Sequence, residues 1–295
     1  MASNDNAQDE SVWTLLRPEE DLGRILAQDD PDRMRITGQE YENAMAIKAM
    51  VEMSPDLDNL SDLMYVQLAI VCKDNIEEVL DRCYGLQAFR EEYKMLDTYE
   101  DGRYYLKELI KIFPTMFLNF AFAELDGCYT LVQDIQKFDP TAFTTLRIET
   151  NFLIGMAYIS PAFHPDIESI RKGHVAIAEC QGMTLRRDVM KFHSKFFSEF
   201  LSHYPFIGHC RAFHTSSMVN VIVSMLRKIL PKDVKDRFMV GFKYDGHLAD
   251  VLLVPTTEVA NQRTLQRMFD ALKLRYHNEK RFQLSKIKMP DAANE

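Results

Sequence analysis

His203, His209, Cys210 and His214 fall within twelve residues, and their types suit a divalent metal. Zinc needs its nitrogen and sulfur donors to converge at about 2.0–2.3 Å from one point. Pro205 separates His203 from the other three, and in an extended strand Cys210 and His214 share a face that His209 does not. The cluster therefore reads as ordinary surface or core histidines. A thiol nucleophile has a second candidate in Cys180, which follows Glu179 on a segment that begins at His174. A thiolate needs a base within hydrogen-bond reach, and alternate strand positions spread these groups apart. Cys180 reads as a packed residue at a strand end. No GxGxxG, GxxxxGK[ST] or GxSxG occurs, and 11 glycines leave little material for a phosphate-cradling loop. The expectation is a protein that is not an enzyme and holds neither metal nor cofactor.

Apolar side chains are the stronger signal. The chain has 19 Phe and 16 Met against one Trp. Over 187–204, Val189, Phe192, Phe196 and Phe200 form one stripe, and Phe197 with Leu201 forms a second. A single core-facing stripe would suffice for an ordinary surface helix. Over 218–230, nine of thirteen residues are apolar, and Asn220, Ser224, Arg227 and Lys228 leave only a narrow polar strip. A helix apolar on most sides is buried or touches apolar matter on two faces. Two readings stand: a central core helix, or a helix covering a cavity for a lipid, with Met side chains that repack around a guest.

Other elements must position these segments. Residues 1–40 read as an irregular, polar extension with Trp13 as an anchor. Helices are expected over 41–53, after a cap at Ser61-Asp62, and from Asn75, where Ile76, Val79, Leu80, Cys83, Leu86 and Phe89 recur near helical spacing. From about residue 100 strands alternate with helices. Strands are expected at 128–135 after the Asp126-Gly127 turn, and at 174–179, 210–214 and 236–242. Helices are expected at 146–159, 187–204 and 216–230. This alternation implies an α/β fold with a largely parallel sheet and crossover helices. A last helix over 261–284 is basic and amphipathic. Leu265, Met268, Phe269, Leu272 and Tyr276 make its apolar face, and Arg263, Arg267, Lys273 and Arg275 flank it. It either packs on the body or lies on a membrane or partner.

Charge is polarised along the chain. Residues 1–60 carry a net −9, 61–185 a net −8 and 186–295 a net +8. Net acidity argues against general nucleic-acid binding, whereas the basic last third can meet an anionic surface. Five scattered cysteines without a CxxC pair argue for a reduced compartment, and no apolar run approaches membrane-spanning length. The N-terminus has neither a basic nor an apolar signal region. The expectation is a cytoplasmic monomer.

The order of segments over about 45–255 resembles the CRAL-TRIO lipid-binding and transfer family, in its tocopherol-transfer and retinaldehyde-binding branch. DLMYVQLAIVCKDNIEEVLDRCYGLQAFREEY is similar to the family's helical module, and DGCYTLVQDIQKFDP at 126–140 to its first strand and closing Asp-Pro. GHVAIAECQGMTL at 173–185 looks like the central strand and its acidic-x-x-Gly turn. HYPFIGHCRAFHTSS at 203–217 and LRKILPKDVKDRFMVG at 226–241 resemble the strand before the gate helix and the basic segment after it.

The resemblance implies a mixed, mainly parallel sheet walled by helices, preceded by a small helical subdomain and closed by a gate helix. It divides the chain into an acidic extension (1–43), a helical module (44–99), a lipid-binding domain (100–256) and a basic C-terminal helix and tail (257–295). It implies binding and transfer of one retinoid, tocopherol, carotenoid or phospholipid. The expected lining is Phe152 and Met156 from one helix, Ile177 from the central strand, Phe196 and Phe200 from the next helix, and Val221, Ile222 and Met225 from the gate. Lys232, Lys235 and Arg237 are the expected contacts with phosphoinositide or anionic membrane, although Asp233 and Ile207 stand where that branch has lysines. The other expectation is a membrane- or protein-docking adaptor that shares the fold and carries no ligand.

Overall fold

A computed structural model describes residues 31–73, 75–123, 128–180, 186–188, 191–192, 208–213, 238–242 and 258–287. Among the described residues, four α-helices precede the sheet. Helix α1 (Gly38–Glu52) begins at a capping box, in which the Thr37 hydroxyl accepts from the Glu40 amide while the Glu40 carboxylate accepts from the Thr37 amide. The start lies inside the stretch expected to be irregular: Thr37 and Glu40 form a start signal that precedes the Ala- and Met-rich run. Helix α2 (Asp62–Cys72) is capped by Ser61 and α3 (Ile76–Tyr93) by Asn75, as their spacing implies. Helix α4 (Tyr99–Ile112), capped by Thr98, was not anticipated.

Among the described residues the sheet has five strands in the order β1-β2-β3-β4-β5. Strand β1 (Phe117–Ala123) pairs antiparallel with β2 (Cys128–Asp134); β3 (His174–Glu179), β4 (Gly208–Phe213) and β5 (Phe238–Phe242) continue it in parallel. The fold is thus α/β. The unexpected first strand precedes Asp126-Gly127 in the sequence. Helices α5 (Leu146–Phe163) and α6 (Ile167–Lys172) make the crossover from β2 to β3. The expected helix at 216–230 lies outside the described residues, as does most of that at 187–204.

Helix α7 (Glu258–Arg281) packs against β1, α4 and α5. Its apolar face is used inside the protein: Met268, Phe269, Ala271 and Leu272 are buried. Arg275 does not flank that face in solvent as expected. It is buried too, ion-paired with Glu279 at 2.7 Å and donating to the His164 carbonyl at 2.8 Å. These partners replace part of the water that a buried guanidinium gives up.

Two apolar cores result. The larger joins the sheet to α4, α5 and α7. The smaller joins α1 and α2 to Ile167 and Ile170 of α6 and to Leu284, which is fully buried beyond α7. The Asp62 carboxylate holds Leu284 in place by accepting its amide at 2.8 Å, and it ion-pairs with Lys48 at 2.9 Å. Bidentate contact of Arg33 with Asp166, and of Arg171 with Glu40, ties the helical part to α6. Among the described residues no helix is long and apolar enough to cross a membrane.

Candidate functional site

Helix α5 starts where the Thr145 hydroxyl accepts from the Ile148 amide, and it is apolar almost throughout. Phe152, Met156, Ile159 and Phe163 recur at steps of four, three and four, which places them on one stripe. Phe163 identifies the sheet face beneath that stripe. Its ring stacks on His174 at 4.0 Å and lies 5.5 Å from Phe120, which stacks on Tyr129. Tyr129 and His174 are register partners. The face toward α5 therefore carries Tyr129, Leu131 and Gln133 from β2 and His174, Ala176 and Ala178 from β3.

This alternation corrects one expectation. Ile177 is fully buried, beside its partner Val132, but it points to the opposite face from Met156. The two cannot wall one cavity on the α5 side. The residues with the right direction are its neighbours Ala176 and Ala178. Both are only partly buried although β3 is the middle strand of five, and Gln133 and Met156 are partly buried as well. A middle strand under a complete helical layer is covered on both faces. The small side chains at 176 and 178 make a partly exposed apolar patch, a floor, over the carboxyl half of β3.

An aromatic wall stands at the same end. Phe113 follows α4, Phe138 and Phe143 lie between β2 and α5, and Phe152 and Phe192 complete the group. Phe152 lies 5.3 Å from Phe113, 5.7 Å from Phe138, 5.3 Å from Phe143 and 5.6 Å from Phe192, centroid to centroid. Such tilted and edge contacts add to burial and fix the rings. Arg186 bridges Asp139 at 3.0 Å and also contacts Asp188, which ties the segment leading to Phe192 to the loop after β2. Exposed pairs of this kind position more than they stabilise.

The chemistry at the strand ends is quiet. Burial pushes the Cys180 thiol up to about 12, and the neighbouring Glu179 and Asp134 carboxylates push the same way. A thiol raised in this way is a poor nucleophile at neutral pH. Burial likewise raises the Asp134 carboxyl above its ordinary value, with Glu179 adding to the effect against Lys137 and the Gln136 amide. Burial also raises Cys72 to about 12 and Cys83 to about 11. No three His, Cys, Asp or Glu side chains among the described residues could hold a metal ion. His203 and His214 lie outside them.

Of the expected lining residues, Phe152 and Met156 are brought together on α5, with Phe152 enclosed by rings and Met156 beside the floor. Phe196, Phe200, Val221, Ile222 and Met225 lie outside the described residues, as do Lys232, Lys235 and Arg237. Sequence reasoning missed Ala176, Ala178, Phe138 and Phe143. The strict alternation of 174–179 could have found the two alanines; nothing in the spacing pointed to the two phenylalanines. The chain matches no protein-family model and no curated protein.

Proposed function

We propose that the chain binds one hydrophobic small molecule over the carboxyl half of β3 and carries it between membranes without covalent chemistry. The observation that carries this reading is the partly buried floor of Ala176 and Ala178, on the sheet face beneath the α5 stripe that holds Met156 and Phe152. Largely apolar walls with few polar groups, such as Gln133, suit a ligand held by area rather than charge. Each Å² of apolar surface removed from water contributes about 25 cal/mol, so a retinoid, tocopherol, carotenoid or acyl chain would be retained without an ion pair. In this reading the fold is that of the CRAL-TRIO family, and residues 218–230 are the gate, with Val221, Ile222 and Met225 facing the ligand. Phe196 and Phe200 extend the wall, and Lys232, Lys235 and Arg237 meet anionic lipid during release. The protein is a cytoplasmic monomer and not an enzyme.

One observation favours a second reading, an adaptor of the same fold without cargo. Phe152 is only 2% exposed, so the aromatic wall is filled by its own rings at that point. Extraction of natively purified protein with organic solvent, followed by lipid mass spectrometry, separates the two. A stoichiometric hydrophobic ligand supports the carrier. A ligand-free interior overturns it and leaves the adaptor.

A further inference from the structure

Helix α7 spends its apolar face on the body, and its other face is basic. Arg263, Lys273, His277, Lys280 and Arg281 are all exposed, and Lys286 follows just beyond the helix. Arg263, Gln266, Asp270, Lys273, His277 and Arg281 recur at steps of three and four, so they form one outward stripe along the helix. Over 271–288 the chain holds six Lys and Arg against a single acid, Glu279, which is engaged by the buried Arg275. The carboxyl half of the stripe therefore presents cations with no exposed carboxylate of its own.

A second feature lies beside it. Leu96 is 61% exposed, among the most exposed large apolar residues of those described, after Leu146 at 78% and Met53 at 75%. It lines one crevice with Tyr276 and Glu279 of α7. Tyr276 sits between Lys273 and Lys280 at helical steps of three and four, and its hydroxyl donates to Asp97 at 3.1 Å. The contact sets the 96–97 segment against α7. An exposed leucine is thus fixed at the flank of a row of cations.

We propose that this face, Lys273, His277, Lys280, Arg281 and Lys286 with Leu96 at its flank, is a docking surface for an anionic lipid bilayer. Cations along a straight helix meet the phosphates of a flat surface together, and a lone aliphatic side chain beside them enters the headgroup layer. Helix α7 lies flat on the bilayer and does not insert, because Met268, Phe269 and Leu272 are already buried in the protein. The surface uses none of Lys232, Lys235 and Arg237. It gives the proposed carrier a way to stay at a membrane, yet it does not need cargo to operate.

The test uses the full chain and vesicles of phosphatidylcholine alone or with about one third phosphatidylserine, across salt concentrations. Binding is expected only to the anionic vesicles and is expected to fall steeply with salt. In the variant Lys273→Glu, Lys280→Glu, Arg281→Glu, affinity falls about a hundredfold or more, from roughly fivefold for each cation near such a surface. Lys273→Gln, Lys280→Gln, Arg281→Gln falls less, and it reads the same effect if the charge-reversed chain does not fold. Leu96→Ser weakens binding at low salt and high salt alike. Equal binding to neutral vesicles, or unchanged anionic binding in a folded variant, overturns the proposal. So does binding of single-stranded RNA in preference to anionic vesicles. Cargo extraction is measured on the same preparations, so loss of docking and absence of ligand are separate outcomes.

Discussion

Gly155 is where α4 and α5 approach most closely, and replacing it tests how rigidly α5 is set. A Cβ built there would lie 2.8 Å from the Leu109 Cβ and 2.8 Å from the Tyr105 carbonyl oxygen. Ordinary heavy-atom contacts lie at about 3.5–4.0 Å, so α4 must withdraw by roughly 0.7 Å or more. Neither obstacle is a side-chain end that can rotate away. Leu106 and Leu109 are fully buried and resist the shift. Because neither neighbour can turn aside, overpacking here falls in the upper part of its usual range, about 2–3 kcal/mol, and the better helix propensity of Ala returns about 1 kcal/mol. Gly155→Ala should therefore be destabilised by about 1–2 kcal/mol, or roughly 2–6 °C in Tm. Gly102→Ala is the control. Its Cβ would meet the Leu272 Cδ2 at 2.5 Å and the Tyr158 ring at 3.0 Å, and the leucine end can turn aside. Calorimetry on both variants decides the matter. A Gly155→Ala protein as stable as the parent, or less affected than Gly102→Ala, would refute the rigid contact between α4 and α5.

Three further outcomes follow from the same contacts. Arg275→Met leaves Glu279 and the His164 carbonyl without their partner and should cost about 3 kcal/mol or more, with the double variant Arg275→Met, Glu279→Met recovering part of it in denaturant titrations. Leu284→Ala removes a fully buried anchor of the smaller core and should cost about 2–4 kcal/mol, read by chemical unfolding; an unchanged midpoint would detach the tail from that core. Burial alone would raise the Glu40 carboxyl, but hydrogen bonds from Arg171 and the Thr37 amide outweigh it and hold Glu40 below the ordinary glutamate value. Its contribution is present above that ordinary value and is lost as pH falls through the depressed one. The Tm gap between wild type and Glu40→Gln should therefore be wide at neutral pH and close below about pH 4; a gap independent of pH would discard the pairing.

Much of the fold was legible because its signals are local. Ser61 caps the helix that it was expected to cap, the next helix begins at Asn75 as expected, and 174–179 is the strand that was read there. Strand β1 escaped because Phe117, Leu118, Phe120 and Phe122 form an apolar run with little alternation, which periodicity alone does not assign. Arg275 escaped for a different reason. Sequence spacing placed it at the edge of an apolar face, but only the approach of the α5–α6 joint supplies the carbonyl and buries the charge. The site was half legible: apolar type pointed to Phe152 and Met156, but apolar type also selected Ile177. Direction in a strand is set by parity, and parity selects the two alanines that size and hydropathy had made inconspicuous.

The floor at Ala176 and Ala178 carries the account, and filling it is the most direct measurement. Wild-type protein and Ala178→Trp are purified in parallel without detergent and weighed intact under native conditions, with folding checked by circular dichroism. The account predicts that the wild type carries one apolar molecule per chain, released by organic solvent, and that the folded Ala178→Trp protein carries none. A wild type without ligand, or an Ala178→Trp protein that retains it in full, would contradict it.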